Sequence, residues 1–302
     1  MLRSISTFLE RRNAFYLSLL LVPPLMWMGT IYLGSLATLL SQSFYAIDEF
    51  TAKVIPELTL ATYRQLFTQP ANVDIVVRTV AMAVTVTIAS AIIAFPLAHY
   101  MARYAGPRMK ALCYVGVMLP MWMSYLVKVY AWRLILAKQG VVSWGFASLG
   151  LGGALDAILA TPVIGGPSLS SSYLGMFLVF VYMWLPFMIL PLAAALERVP
   201  ESLLQASADL GARPAQTFRT VVLPLALPGL AAGSIFTFSL TLGDYIMVKI
   251  VGGPTQMWAN IIYDNVGVAN NLPLAAAAAL FPVTVIILYL LAVRRTGALE
   301  NL

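Results

Sequence analysis

Long apolar runs separated by short polar segments fill most of the chain, and this pattern predicts helices that cross a membrane. A helix needs about 20 mostly apolar residues to cross the hydrocarbon core of a bilayer. Six runs reach that length, at roughly residues 14–40, 74–101, 111–137, 172–196, 221–250 and 270–293. The first run is much longer than the core of a cleavable signal peptide, which is about 7–15 residues. We therefore predict an all-α polytopic protein with one helix per run and a retained first helix.

The connections between the runs carry local expectations. Adjacent prolines at positions 23 and 24 predict a kink in the first helix. The polar segment 41–73 is predicted to be extracytoplasmic, with a short helix on the membrane surface at 58–67. The Gly- and Ser-rich segment 138–172 is also predicted to be extracytoplasmic, with turns between short surface helices.

The composition agrees with a polytopic membrane protein. Of the 302 residues, 61% are hydrophobic and 10% are charged, whereas soluble domains carry about 25% charged residues. The single cysteine, Cys113, excludes an intrachain disulfide bond. The net charge of +6 does not by itself indicate a nucleic-acid partner, and we expect none. In a membrane protein, the informative property is the side of the membrane on which the charges lie.

The distribution of Lys and Arg predicts the orientation of the chain, because basic residues concentrate in cytoplasmic loops. Eleven of the 18 fall in predicted cytoplasmic segments: Arg3, Arg11, Arg12, Arg103, Arg108, Lys110, Arg198, Arg213, Arg219, Arg294 and Arg295. Three fall in predicted outer segments: Lys53, Arg64 and Lys138. The other four lie in spans or near their outer ends: Arg78, Lys128, Arg133 and Lys249. The bias predicts cytoplasmic tails at 1–13 and 296–302 around a transmembrane domain at 14–295.

The segment 204–229, LQASADLGARPAQTFRTVVLPLALPG, is the longest strongly polar stretch between two apolar runs. Pro200 stands where a helix begins, and Gly211 stands where that helix ends. Pro214 then begins a second short helix. The predicted structure is a helix–turn–helix loop outside the hydrocarbon.

Two stripes run along the first of these predicted helices. The apolar stripe, at i, i+3 and i+7, consists of Leu203, Ala206 and Leu210. The acidic to polar stripe, at i, i+4 and i+8, consists of Glu201, Gln205 and Asp209. Spacing alone is equally compatible with a solvated loop and with a docking surface.

The loop also contains Gln205-Ala206-Ser207, followed by Gly211 and later by Leu223-Pro224. This series resembles the EAA loop of ABC-importer permeases, in which Glu-Ala-Ala precedes a Gly and then a Leu-Pro. The resemblance implies that the loop, at about 197–223, docks into a groove on a cytoplasmic ATPase and transmits its motion. Gln205 replaces the family's Glu, so an ion pair from that position is lost. Negative charge remains nearby at Glu201 and Asp209.

Other segments narrow the resemblance. Residues 119–124 (LPMWMS), 129–132 (VYAW), 185–191 (LPFMILP) and 252–254 (GGP) are similar to segments of spermidine/putrescine-type permeases. The similarity covers most of residues 75–295. It implies the type I ABC-importer permease fold, a location in the bacterial inner membrane and inward transport by alternating access.

The same resemblance implies a set of partners within the lipid bilayer. They are a second homologous permease, two ATPase subunits and an extracytoplasmic substrate-binding protein. ATP and Mg are expected in the ATPase chains. No cofactor, metal site or catalytic residue is expected in this chain, which lacks GxxxxGK[ST], HExxH and any Cys/His cluster.

Asp244 is the residue that we select for the substrate path. An ionisable residue within a span is costly and usually faces a cavity or a partner. A carboxylate suits a cationic amine, the adjacent Tyr245 offers an aromatic face, and Gly243 could let the helix break beside it. Trp122 and Tyr130 are further candidates for the path. The structural alternative is that Asp244 pairs with Lys249 or with the second permease.

Other readings remain open at this point. Within the importer class, the substrate could be an opine, an aminophosphonate or another small amino compound. An ion-coupled secondary transporter or channel is the alternative from a different class, but it would need an intramembrane relay of carboxylates or His. A membrane enzyme is a third reading, without a catalytic cluster to support it.

Overall fold

The computed structural model describes residues 13–48 and 53–295, which are mostly helical. The N-terminal elements are α1 (Asn13–Trp27), a π-helical turn (Met28–Leu33), α2 (Gly34–Gln42), β1 (Tyr45–Ile47), β2 (Val54–Leu58) and α3 (Ala61–Thr68). The central elements are α4 (Pro70–Arg103), α5 (Pro107–Trp122), α6 (Tyr125–Ile135), α7 (Val141–Ser148), α8 (Gly152–Leu159), a 3-10 turn (Leu169–Ser171) and α9 (Tyr173–Glu197). The C-terminal elements are α10 (Glu201–Asp209), α11 (Pro214–Thr217), a second π-helical turn (Phe218–Val222), α12 (Leu223–Gly243), α13 (Ile246–Val251), α14 (Trp258–Gly267) and α15 (Leu272–Arg295). Apart from Asn13, the predicted tails lie outside the described residues.

The predicted membrane crossings are present as helices. Five described stretches are long and apolar enough to span a bilayer: Leu17–Gln42, Pro70–Arg103, Tyr173–Glu197, Pro214–Gly243 and Leu272–Arg294. A sixth crossing is possible if the bent pair α5 and α6 counts as one span. The all-α class is confirmed, and the sixth crossing depends on that bent pair.

Helix α9 lies at the centre of the bundle and packs against α4 and α12. Its Met188 and Leu192 are completely buried. Helix α12 approaches it closely at Gly229, where a Cβ atom would lie 2.5 Å from Ala195 Cβ and 2.6 Å from the Pro191 carbonyl oxygen. Small residues at such crossings let helix backbones pack closely in membranes. The α4–α9–α12 packing therefore forms the frame on which the loop and the breaks described below are placed.

The third span is not the continuous helix that the run 111–137 predicts. Helix α5 ends at Trp122, α6 begins at Tyr125, and the bend between them is 95°. The two intervening residues are extended, with ψ angles of 145° and 134°. Pro120 removes a backbone donor near the end of α5. The bend was not predicted because both helices are apolar and the run shows no interruption.

The fifth span, which was predicted to run to about residue 250, is also interrupted. Helix α12 ends at Gly243, Asp244 is extended with φ −83° and ψ 118°, and α13 begins at Ile246. The suggested break beside Gly243 is confirmed. Asp244 therefore lies at a junction between two helices, where its backbone and side chain are free to bond outside a continuous helix.

The predicted kink in the first span takes a different form. The prolines at 23 and 24 lie within α1, and the departure from α-helical geometry follows them as the π-helical turn. In the next connection, β1 and β2 form a short antiparallel hairpin that the sequence did not predict. The predicted helix at 58–67 is α3 at 61–68, because Leu58 belongs to β2. The short helices predicted within 138–172 are α7 and α8.

Candidate coupling loop and substrate cavity

The loop between α9 and α12 turns sharply at Gly211. Its φ angle is +76°, a left-handed conformation that glycine adopts without the Cβ penalty of other residues. The Gly211 N–H donates to the Ala208 carbonyl at 2.8 Å, and the Ala212 N–H donates to the Ser207 carbonyl at 3.1 Å. These bonds satisfy the last carbonyls of α10 as a glycine C-cap does. The helix end that the sequence predicted at Gly211 is confirmed.

Helices α10 and α11 are tied to each other across this turn. The Ser207 and Thr217 hydroxyls are 2.9 Å apart and share a hydrogen bond. The Arg213 N–H donates to Gln216 Oε1 at 2.9 Å and so closes the start of α11, which begins at Pro214 as predicted. A side-chain hydrogen bond therefore connects the two helices across the turn.

Both predicted stripes of α10 face outward. Leu203 is 44% exposed, and Leu210, directly after the end of α10, is 88% exposed. The other exposed stripe positions are Glu201, Gln205, Ala206 and Asp209. Leu204 lies on the opposite side and packs, together with Phe218, against the buried cluster around Leu192. The packing of α10 thus leaves its patterned faces free.

The start of the loop is held by the ends of two other helices. Arg103, the last residue of α4, donates from Nη2 to the carbonyls of Val199 at 2.6 Å and Leu196 at 3.2 Å. A cation at these carbonyls also complements the C-terminal dipole of α9. Glu197 accepts a hydrogen bond from the Tyr114 hydroxyl at 2.7 Å and forms an ion pair with Lys110 at 2.9 Å. Sequence reasoning counted Arg103 and Lys110 among the predicted cytoplasmic charges but did not predict their contacts with this loop.

The end of the loop continues into α12. Leu223 is half-buried at the first position of that helix, and Pro224 is exposed at the second. Pro224 lines a cavity of about 500 Å³ with Arg198, Pro200 and Gly229 among its other walls. Both ends of the loop therefore lie beside one cavity between α9 and α12.

Asp244 lies at the break between α12 and α13, where both carboxylate oxygens are bound. Its Oδ1 accepts the Met247 N–H at 3.0 Å, an interaction that caps the start of α13. Its Oδ2 accepts a hydrogen bond from the Tyr125 hydroxyl. Tyr125 is the first residue of α6, immediately after the bend in the third span. The carboxylate thus joins the breaks of two spans that are 119 residues apart in sequence.

A cavity of about 350 Å³ opens beside this carboxylate. Its walls are Tyr125, Trp184, Ser239, Leu240, Gly243, Asp244, Tyr245 and Ile246. The Tyr125 and Trp184 rings are stacked at 6.5 Å between centroids. The site therefore combines one carboxylate with several aromatic faces.

The structure brings only part of the predicted path together. Tyr245 lines the cavity with Asp244, whereas Trp122 and Tyr130 do not, and they are 73% and 51% exposed. That these two residues line a path in the assembled transporter stays a prediction. Sequence reasoning missed Tyr125 and Trp184. Their one available signal was position, because each directly adjoins a segment that resembles the polyamine-type permeases.

The pairing of Asp244 with Lys249 that the sequence left open is not formed. Lys249 Nζ instead pairs with Asp264 Oδ1 at 2.5 Å and lies 4.1 Å from the centroid of the Tyr263 ring. The Tyr263 ring stacks on Tyr245 at 4.6 Å. This second cluster supports the wall of the cavity from the α14 side. Among the described residues, no group of three or more His, Cys, Asp or Glu side chains could hold a metal ion.

Comparisons with known proteins agree with these features. The chain is 60% identical over 301 residues to the Escherichia coli (strain K12) "Inner membrane ABC transporter permease protein YdcU", which covers 100% of this chain and 96% of that protein. It is 28% identical over 263 residues to the Haemophilus influenzae "Spermidine/putrescine transport system permease protein PotB", with 87% of each chain covered. A solved chain of the "bacterial alginate ABC transporter in complex with alginate pentasaccharide-bound periplasmic protein" superposes with a TM-score of 0.70, covers 96% of both chains and shares 15% identity.

The structural likeness at 15% identity establishes the fold only. The family is established by sequence, since residues 94–296 match the family described as "Binding-protein-dependent transport system inner membrane component". A permease of this kind is a transport subunit of the inner membrane and not an enzyme, and ATP is hydrolysed in partner chains. With its membrane helices, exposed loop and broken spans, the chain belongs to this family of ABC-importer permeases.

Proposed function

We propose that this permease subunit passes a small cationic amine, of the polyamine type, through the cavity at Asp244. The observation that supports the proposal is the carboxylate in the wall of a cavity that also presents Tyr125, Trp184 and Tyr245. A volume of about 350 Å³ lies at the small end of the range for ligand pockets. A volume of this size suits a small solute.

The chemistry of the walls favours a cation. A carboxylate pairs with an ammonium group through charge-assisted hydrogen bonds, which are stronger than bonds between neutral groups. Aromatic faces attract the same cation through their quadrupoles. An ionisable residue inside a membrane domain costs about 2.5–3.5 kcal/mol on insertion scales and typically marks a substrate or ion pathway.

The walls also favour an amine over a zwitterion. Opines and aminophosphonates carry an acidic group besides the amine, and that group would need a basic or strongly donating partner. None of the described residues that line this cavity is Lys, Arg or His. Relatives named as spermidine/putrescine permeases support the same substrate class. The name of the 60% identical relative specifies no substrate.

We further propose that the loop at 197–223 is the docking site for a partner ATPase. Its contact surface consists of the turn at Gly211 and the exposed positions Glu201, Gln205, Ala206 and Asp209. Ser207 supports this surface through its hydrogen bond with Thr217. Leu223 and Pro224 carry the movement into α12. The complete transporter then contains a second related permease, two ATPase subunits that bind ATP and Mg, and an extracytoplasmic binding protein.

Uptake by the reconstituted transporter tests the substrate class. This chain, co-purified with its permease and ATPase partners, is placed in proteoliposomes and supplied with its binding protein. We expect ATP-dependent uptake of spermidine or putrescine, and much weaker uptake of octopine or 2-aminoethylphosphonate. Preference for the acidic compounds, or uptake driven by an ion gradient without ATP, would contradict the proposal.

Two substitutions at Asp244 separate its charge from its structural role. Asn keeps an oxygen that can cap α13, because Asn and Asp are comparable N-cap residues, whereas Ala removes both cap and charge. We expect Asp244→Asn to assemble normally and to lower amine uptake by on the order of 10-fold, equivalent to about 1.4 kcal/mol. Asp244→Ala should also reduce the thermal stability of the complex. Full uptake by an assembled Asp244→Asn complex would remove the residue from the path.

A further inference from the structure

The hydrogen bond between Tyr125 and Asp244 joins two helix breaks. Tyr125 begins α6 directly after the 95° bend in the third span. Asp244 is the extended residue between α12 and α13 in the fifth span. Each break interrupts the ladder of backbone hydrogen bonds that a continuous helix has, so fewer such bonds oppose a change of angle there. A side-chain hydrogen bond therefore links the two breaks, in addition to the apolar packing of α6 on α13.

The two bonds of the Asp244 carboxylate differ in kind. The bond to the Met247 N–H at 3.0 Å is local and belongs to the cap of α13. The bond to the Tyr125 hydroxyl connects separate spans. The second bond can open without uncapping a helix. It is also the one whose acceptor oxygen and donor hydroxyl both belong to residues that line the cavity.

We propose that Tyr125 is a specificity-determining latch, which a cationic substrate opens by replacing the phenol as hydrogen-bond donor to Asp244. This inference rests on the proposed function of the cavity. An ammonium N–H donates to a carboxylate more strongly than a neutral hydroxyl does. A neutral solute of the same shape lacks that advantage and leaves the latch closed. Opening the latch removes the side-chain hydrogen bond between the two breaks and leaves the apolar packing of α6 on α13, so the breaks can move relative to each other more easily.

The aromatic neighbours allow this exchange without loss of packing. The Tyr125 ring stacks on Trp184 at 6.5 Å, and Trp184 is 8% exposed and contacts Phe187 at 5.9 Å between ring centroids. This wall holds the Tyr125 ring whether or not its hydroxyl is bound. The Tyr125 ring can then present its face to the cation that replaced its hydroxyl at Asp244.

The test is the rate of ATP hydrolysis by the complete transporter without any substrate. Tyr125→Phe removes the latch hydroxyl and keeps the ring. We expect the substrate-free rate to rise by about fivefold or more, because a hydrogen bond to a charged group is among the stronger ones. Addition of the loaded binding protein should then stimulate hydrolysis less than in the unaltered complex. Tyr182→Phe is the matched control, since it removes a phenol that packs on Trp132 and does not line the cavity; its rates should not change.

Asp244→Asn breaks the same charged bond from its other end and provides a second test if Tyr125→Phe fails to assemble. It should raise the substrate-free rate as well, and the double variant should add little, because both changes remove one interaction. An unchanged substrate-free rate in assembled Tyr125→Phe or Asp244→Asn complexes overturns the latch, whatever the substrate is. Failure of the unaltered transporter to carry amines overturns the proposed function instead, so the two failures are distinguishable.

Discussion

The loop at 197–223 and the cavity at Asp244 differ in exposure and in the contacts that hold them together. The loop is held by several polar bonds, among them the Gly211 turn, the Ser207–Thr217 hydrogen bond and the bonds from Arg103, and it exposes most of its surface. The cavity has a hydrogen bond between distant spans in its wall, and apolar packing of α6 on α13 and stacked rings surround that bond. A rigid, exposed loop suits the transmission of force to or from a partner. A cavity with an exchangeable hydrogen bond between two helix breaks in its wall suits a site that must change shape.

The largest expected effect comes from the root of the loop. Arg103→Met removes both hydrogen bonds to the carbonyls of Leu196 and Val199. We expect a loss of about 2–4 kcal/mol in stability, since hydrogen bonds to charged groups are worth about 1.5–3 kcal/mol each and are not fully additive. The melting temperature of the purified complex measures this loss. Arg103→Lys is the matched control and should recover part of it. An unaltered melting temperature for Arg103→Met would show that the loop is not held at this point.

The next effect tests the rigidity of the turn. At Gly211 a Cβ atom would meet no heavy atom within 4 Å, yet φ is +76°. Any penalty is therefore conformational and not steric. We expect Gly211→Val to cost about 1–2 kcal/mol or more through the left-handed backbone, and to weaken association with the ATPase. Asn adopts the left-handed conformation more readily than Val, so the stability and ATPase association of Gly211→Asn should lie between those of the unaltered protein and Gly211→Val. Co-purification of the ATPase and coupled uptake are the readouts, and equal values for all three proteins would exclude a docking role for the turn.

A smaller effect concerns charge on the exposed face. Gln205 is exposed on the same stripe as Glu201 and Asp209. If its neutral amide is what the partner ATPase accepts, Gln205→Glu should alter coupling only modestly. Gln205→Lys should reduce it further, because the charge that it introduces is opposite to that of the stripe. The ratio of ATP hydrolysed to substrate imported distinguishes these cases. Identical ratios for Gln, Glu and Lys would place the residue outside the interface.

The smallest effect is expected on the cavity side. The Lys249–Asp264 pair has both side chains more than one-third exposed, at 39% and 34%. Such pairs contribute about 0–1 kcal/mol, so Lys249→Met should change stability only slightly. It should also fail to rescue Asp244→Asn, because Lys249 does not contact Asp244. If Lys249→Met did rescue Asp244→Asn, the result would favour an ion pair between Asp244 and Lys249, which the structure does not show.

These differences also explain which parts could be predicted from sequence. Pro200, Gly211 and Pro214 encode the loop locally, since each acts through its own backbone preference. Most of the apolar runs could be matched to helices because lipid requires about 20 apolar residues per crossing. The bend before Tyr125 and the contact with Asp244 could not be predicted, because they depend on where two distant spans meet. Arg103 was counted only as a cytoplasmic charge, because its bond to the Val199 carbonyl is a tertiary contact that the local sequence does not indicate.

The central claim is that the loop and the cavity are two ends of one transport mechanism, and the ratio of amine imported to ATP hydrolysed tests it most directly. Both quantities are measured in the same proteoliposomes for the unaltered transporter and for Asp244→Asn. We predict that Asp244→Asn leaves ATPase association unchanged and hydrolysis active, while amine import per ATP falls by on the order of 10-fold. An unchanged ratio, with full amine import, would contradict the account.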